Sequence, residues 1–215
     1  MTGNPHLSTE LVRAGNPDAR VAAVLVHGRD QDPEFMLEAA QRLALDDDVA
    51  YVLPRASGRS WYPGRFYDSI EDNEPCLGWS LEAIEAAVAE ARGDRRALPA
   101  IVLVGFSQGA CIVAEHLARR PEPYGAAAIL TGALFGTPDA DRMPAGSLGG
   151  LPMFFGIAED DDWIPVDAVR DTVVAFQRAG ADCELHVYDD QEHGINDDEI
   201  VAVRSLLTDL LERSA

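Results

Sequence analysis

The chain contains no lysine. Its 17 basic residues are all arginines, set against 37 carboxylates, for a formal net charge of −20 over 215 residues. A surface this negative repels phosphate backbones and anionic lipid headgroups, so nucleic acid and membranes are excluded as expected partners. GC-rich coding exchanges lysine for arginine, but it does not produce an excess of carboxylates in which 22 Asp outnumber 15 Glu. Dense carboxylates point instead to a halophilic source, where counterions screen their repulsion. Long apolar runs are missing too. None approaches the roughly 20 residues of a membrane span, and the opening MTGNPHLSTELVRAG lacks the positive start and apolar stretch of a signal peptide. Cysteine is scarce. Cys76, Cys111 and Cys183 are odd in number and widely spaced, which excludes a disulfide frame or a zinc site and suits free thiols in a reducing compartment. The expectation is a cytoplasmic protein with no cofactor and no metal, a monomer or homodimer.

What is present is a foldable composition, with 47% hydrophobic and 25% charged residues, and a length suited to one domain spanning 1–215. Short apolar runs alternate with helix-like stretches. Strands are predicted over Val21–Val26, Val49–Leu53, Ala100–Val104, Ala126–Leu130, Pro152–Ile157 and Cys183–Tyr188. The first is apolar throughout, as a strand covered on both faces requires. Helices are predicted over Pro33–Leu45, Ser80–Ala91 (Ser80 as N-cap), Gln108–Arg119, Val166–Ala179 and Asp197–Glu212. This alternation gives an α/β fold, a mostly parallel sheet flanked by helices on both faces. The loops 54–79 and 131–150 are long, but neither is large enough for a separate cap domain. Ligands on such sheets bind beyond the carboxyl ends of the strands, so the following loops should carry the chemistry.

One of those loops is distinctive. Gly105-Phe-Ser107-Gln-Gly109 is a GxSxG between an apolar strand and an amphipathic helix. That is the strand–turn–helix of a nucleophile elbow, which projects a serine hydroxyl into a site at a helix N-terminus. A serine needs a base within hydrogen-bond reach. Of five histidines, only His193 lies late in the chain, after the last strand and beside a glycine. The base in turn needs an anion, and Glu159, Asp160, Asp161 and Asp162 all follow the preceding strand; composition does not choose among them. An oxyanion requires two N–H donors. Gln108 follows the nucleophile, and Arg29 stands in the His27-Gly28-Arg29-Asp30 loop after the first apolar strand, with His27 read as support for that loop.

These residues resemble the phospholipase/carboxylesterase family of α/β-hydrolases, which includes acyl-protein thioesterases. VHGR, VGFSQGA, DDWIP and EHGI occur in the family's order and span nearly the whole chain. The resemblance implies the α/β-hydrolase fold, and a serine carboxylesterase with Ser107, Asp161 and His193 as its triad. It also implies the Arg29 and Gln108 N–H groups as the oxyanion hole. The family places its Asp four residues before a proline, here Pro165, with Asp162 as the fallback; Ala158 stands where the family usually has glycine. The expected partner is a small-molecule ester. Trp61, Tyr62, Phe66, Phe106 and Trp163 are the candidate substrate-binding rings. Arg55, Arg59 and Arg65 would either bind a carboxylate or neutralise their neighbours. A thioesterase or lysophospholipase is the rival within the class, and a non-catalytic ligand-binding protein of the same fold is the rival outside it.

Overall fold

A computed structural model describes residues 3–137, 140, 142–189 and 193–214. Among these residues, seven strands form one sheet in the order β1-β3-β2-β4-β5-β6-β7. They are β1 (Val12–Gly15), β2 (Val21–Val26), β3 (Val49–Leu53), β4 (Ile101–Phe106), β5 (Ala126–Leu130), β6 (Pro152–Ala158) and β7 (Asp182–Tyr188). β1 runs antiparallel to β3 and every other pairing is parallel. Every residue of β2 is buried, yet its side chains divide between two cores. Val21, Ala23 and Leu25 enter one, and Ala22, Val24 and Val26 the other, because successive side chains leave a strand on opposite faces. Burying a Val or Leu contributes roughly 1.5–3 kcal/mol, so a central strand apolar on both faces anchors both layers.

The α-helices among the described residues are α1 (Pro33–Leu43), α2 (Ile70–Asn73), α3 (Cys76–Arg92), α4 (Gln108–Arg119), α5 (Val166–Arg178) and α6 (Asp197–Arg213). α3, α4 and α5 bury their apolar stripes against one face, and α1 and α6 against the other. α1 starts with Pro33 behind Asp32 and buries Met36, Ala40 and Leu43 at successive turns. A capping box joins Asn196 and Glu199 at the start of α6, which fixes the chain just after His193. Between 131 and 150 none of the described residues forms a helix or strand.

The sequence missed β1, whose VRAG carries no apolar run; register against β3 makes it a strand. It also missed the one-turn α2. Ser80 is not an N-cap: α3 begins earlier, at Cys76 behind Pro75. Ser80 is buried inside the helix, its hydroxyl shared between the carbonyls of Cys76 at 2.9 Å and Trp61 at 2.7 Å. β4 reaches two residues beyond its predicted end, so it runs directly into Ser107.

At the other border of the sheet, β7 pairs with β6 alone among the described strands. Its Cys183, Leu185 and Val187 pack on the core, while Asp182, Glu184 and His186 face outward.

Candidate active site

Ser107 is the turn between β4 and α4, held at φ 53° and ψ −120°. That positive φ is disfavoured for a residue with a side chain and survives only where the surroundings impose it. Glycines on either side make room for the turn. A Cβ at Gly105 would lie 2.5 Å from the Gly109 carbonyl, and a Cβ at Gly109 would lie 2.3 Å from that of Val26. The serine N–H donates to Leu130 O at 2.9 Å, tying the elbow to the neighbouring strand.

His193 reaches this serine from the loop between β7 and α6. Its Nε2 lies 2.8 Å from Ser107 Oγ and its Nδ1 2.7 Å from Asp161 Oδ2. An ionised carboxylate only accepts, so Nδ1 carries the proton and Nε2 is left to accept from the serine hydroxyl. The other Asp161 oxygen accepts from the N–H groups of Trp163 and Ile164, both at 2.8 Å. The Asp161 side chain is fully buried. Burial alone would raise its pKa, but the bonds from His193, Ile164 and Trp163 outweigh it and hold the carboxyl below its ordinary range. Asp161, rather than Glu159, Asp160 or the exposed Asp162, is therefore the acid in contact with the imidazole.

Parallel pairing of Val26 with Gly105 brings the 27–30 loop beside the elbow. A Cβ at Gly28 would sit 3.1 Å from that of Ser107, so only glycine leaves this approach relaxed. Arg29 N–H meets no acceptor among the described residues. Gln108 opens α4, and its N–H is one of those a helix leaves unsatisfied. Both residues thus adjoin the close contact of Gly28 with Ser107. His27 is not part of the relay. Its Nε2 accepts from Ala56 N–H at 3.1 Å, so its Nδ1–H donates to Gly28 O at 2.7 Å. Burial lowers its pKa and keeps it neutral.

The aromatic residues divide. Trp61, Tyr62 and Phe106 are buried and correct the expectation that they form a substrate wall. The Trp61 indole N–H donates to His27 O at 2.9 Å, and its ring lies between His6 and His27. Tyr62 packs edge-on against Phe135, and Phe106 backs the His193 ring at 5.2 Å between centroids. Phe66, also largely buried, does line a groove. Trp163 stays 59% exposed, 6.4 Å from the His193 ring, and is the aromatic residue free to meet a ligand there. Arg55 and Arg59 pair with Asp32, and Arg55 also with Glu34, while Arg65 contacts the Tyr67 hydroxyl. The buried thiol of Cys111 is pushed up to about 11, so it is no rival nucleophile. No group of side chains suited to hold a metal occurs among the described residues, and no described helix is long and apolar enough to cross a membrane.

A groove of about 570 Å³ lies between the 66–67 segment, the loop after β5, and α5, with Phe66, Leu134, Phe135, Pro165 and Val174 on its walls. Its lining includes none of Ser107, Asp161 and His193; Pro165, on its wall, stands four residues after Asp161.

The sequence profile described as phospholipase/carboxylesterase matches residues 7–211. Among solved structures, a phospholipase/carboxylesterase from Dyadobacter fermentans DSM 18053 is 30% identical, with a TM-score of 0.87 over 94% of this chain and 97% of that one. Esterase PE8 is 21% identical, with a TM-score of 0.76 over 94% and 97% of the two chains. A carboxylesterase from Mesorhizobium loti is 22% identical, with a TM-score of 0.70 over 89% and 90%. The last two likenesses speak to the α/β-hydrolase fold. No curated protein matches the chain.

Proposed function

The chain belongs to the phospholipase/carboxylesterase family of α/β-hydrolases, and from that premise we propose that it hydrolyses carboxylic esters through an acyl-enzyme on Ser107. One observation carries the reading: a single imidazole lies 2.8 Å from the elbow hydroxyl and 2.7 Å from a buried carboxylate. Ser107 Oγ attacks the ester carbonyl carbon while its proton passes to His193 Nε2. Asp161 holds the Nδ1–H and stabilises the imidazolium without taking its proton. The carbonyl oxygen becomes an oxyanion facing the Arg29 and Gln108 N–H groups. Collapse of the adduct breaks the bond to the alkoxy oxygen, and the alcohol leaves with the proton from Nε2. Water then attacks the acyl carbonyl carbon while giving a proton to His193 Nε2; the bond from that carbon to Ser107 Oγ breaks, the proton passes from Nε2 to Oγ, and the acid leaves.

The groove, where Phe66, Leu134, Phe135 and Val174 stand among the charged Arg142, Asp167, Asp171 and Arg178, would take the acyl part of a small to medium ester, and the exposed Trp163 ring the alcohol part. A fluorophosphonate tests the nucleophile directly. The expected result is one phosphonyl adduct on Ser107 and loss of p-nitrophenyl acetate hydrolysis in step with labelling. Ser107→Ala should stay folded and lose both. Turnover by that variant at the parent rate would refute the assignment, and a parallel panel of oxoesters and thioesters would separate an esterase from a thioesterase.

A further inference from the structure

The two residues that present oxyanion donors also share an anchor. The Gln108 side chain is buried: its Oε1 accepts from Trp61 N–H at 2.8 Å, and its Nε2 donates to Tyr62 O at 2.7 Å. The exposed Arg29 guanidinium reaches the same backbone from the other side. It donates to Tyr62 O and Pro63 O, both at 3.0 Å, and to Gly64 O. Both side chains therefore meet on the Tyr62 carbonyl. The contact is reinforced nearby, because Asp30 N–H donates to Arg59 O at 2.8 Å and the Trp61 indole N–H to His27 O. The peptide joining Gly28 to Arg29 is gripped on its carbonyl by His27 Nδ1–H, which leaves its N–H facing the opposite way.

A lone N–H in a loop swings with its peptide plane. Fastening the same residue at its far end removes that freedom, and donors must be held closely because a misplacement of about 1 Å can lower a rate about a hundredfold. We propose that Arg29 and Gln108 act twice, as donors through their N–H groups and as positioning residues through their side chains. The 59–64 backbone is the brace that keeps both donors aimed at the oxyanion. This rests on the reading of Ser107 as nucleophile and of those two N–H groups as the oxyanion hole.

The test is Arg29→Ala, which keeps the N–H and removes the anchor at an exposed position. With p-nitrophenyl butyrate, kcat should fall about tenfold while KM stays within about twofold. A trifluoromethyl ketone, whose adduct bears the oxyanion, should lose affinity by the same factor as kcat/KM. Arg29→Lys should recover part of the loss, and Gln108→Ala should move the same quantities in the same direction. A folded Arg29→Ala variant with parent kcat, or one with lowered kcat but undiminished ketone affinity, would overturn the brace. If Gln108→Ala does not fold, Arg29→Ala alone decides. Failure of a fluorophosphonate to label Ser107 in the parent would overturn the nucleophile and the brace together, whereas normal labelling beside an unaffected Arg29→Ala overturns only the brace.

Discussion

Acid should weaken this fold through a histidine remote from the chemistry. His116 sits inside α4, almost fully buried, with its Nε2 2.8 Å from the Tyr124 hydroxyl. Burial, with a smaller contribution from the Arg120 charge, lowers its pKa from 6.5 to about 4. A histidine whose folded pKa is depressed stays neutral in the folded chain while the unfolded chain takes up a proton. The stability this neutrality provides is present above the unfolded value and drains away as pH falls through it towards the folded one. With values near 6.5 and 4, the loss relative to pH 7 is about 2 kcal/mol at pH 5 and about 3 kcal/mol at pH 4. His6 and His27 shift the same way because both are buried, so they add to the trend. Replacing His116 with Phe removes the titrating group. Urea unfolding of parent and variant at pH 7, 6, 5 and 4 isolates its share, because protonation of the many carboxylates is common to both chains. The gap between the two curves should shift in the variant's favour by about 2 kcal/mol between pH 7 and pH 5. Parallel curves, with the gap unchanged over that interval, would refute the account.

Two further results follow from the site and the surface. Asp161→Asn should lower kcat by about two to four orders of magnitude by offering His193 the wrong hydrogen-bond partner, whereas Asp162→Asn should stay within about threefold of the parent; equal effects would show that the acid has been misplaced. Thermal melts from 0.1 to 2 M KCl should show the midpoint rising with salt, because a chain of net charge −20 gains more from screened repulsion than its exposed ion pairs lose. A midpoint that falls throughout would oppose adaptation to salt.

The central strands and most helices were legible because burial on both faces writes continuous apolar runs, and amphipathic helices write a period. The elbow was legible because its glycines are steric requirements with a fixed spacing. Other features carry no such local signature. Val12–Gly15 is a strand only because β3 lies beside it, and Ser80 reads as a cap until Pro75 is seen to start the helix earlier. The rings of the 54–79 loop looked like a pocket because a loop has no period to separate inside from outside; Trp61 instead fills the space beneath the elbow between two buried imidazoles. The side chains of Arg29 and Gln108 were equally silent, since what they bind is backbone, and backbone carbonyls have no letter in a sequence.

The outer border of β7 bears on how this protein behaves when concentrated. A sheet border of this kind invites a strand from another molecule, the first step towards stacked fibres. Any arriving strand would have to lie alongside Asp182 and Glu184. Those carboxylates discourage it. Because every copy of the chain carries the same two there, two such rims repel rather than pair.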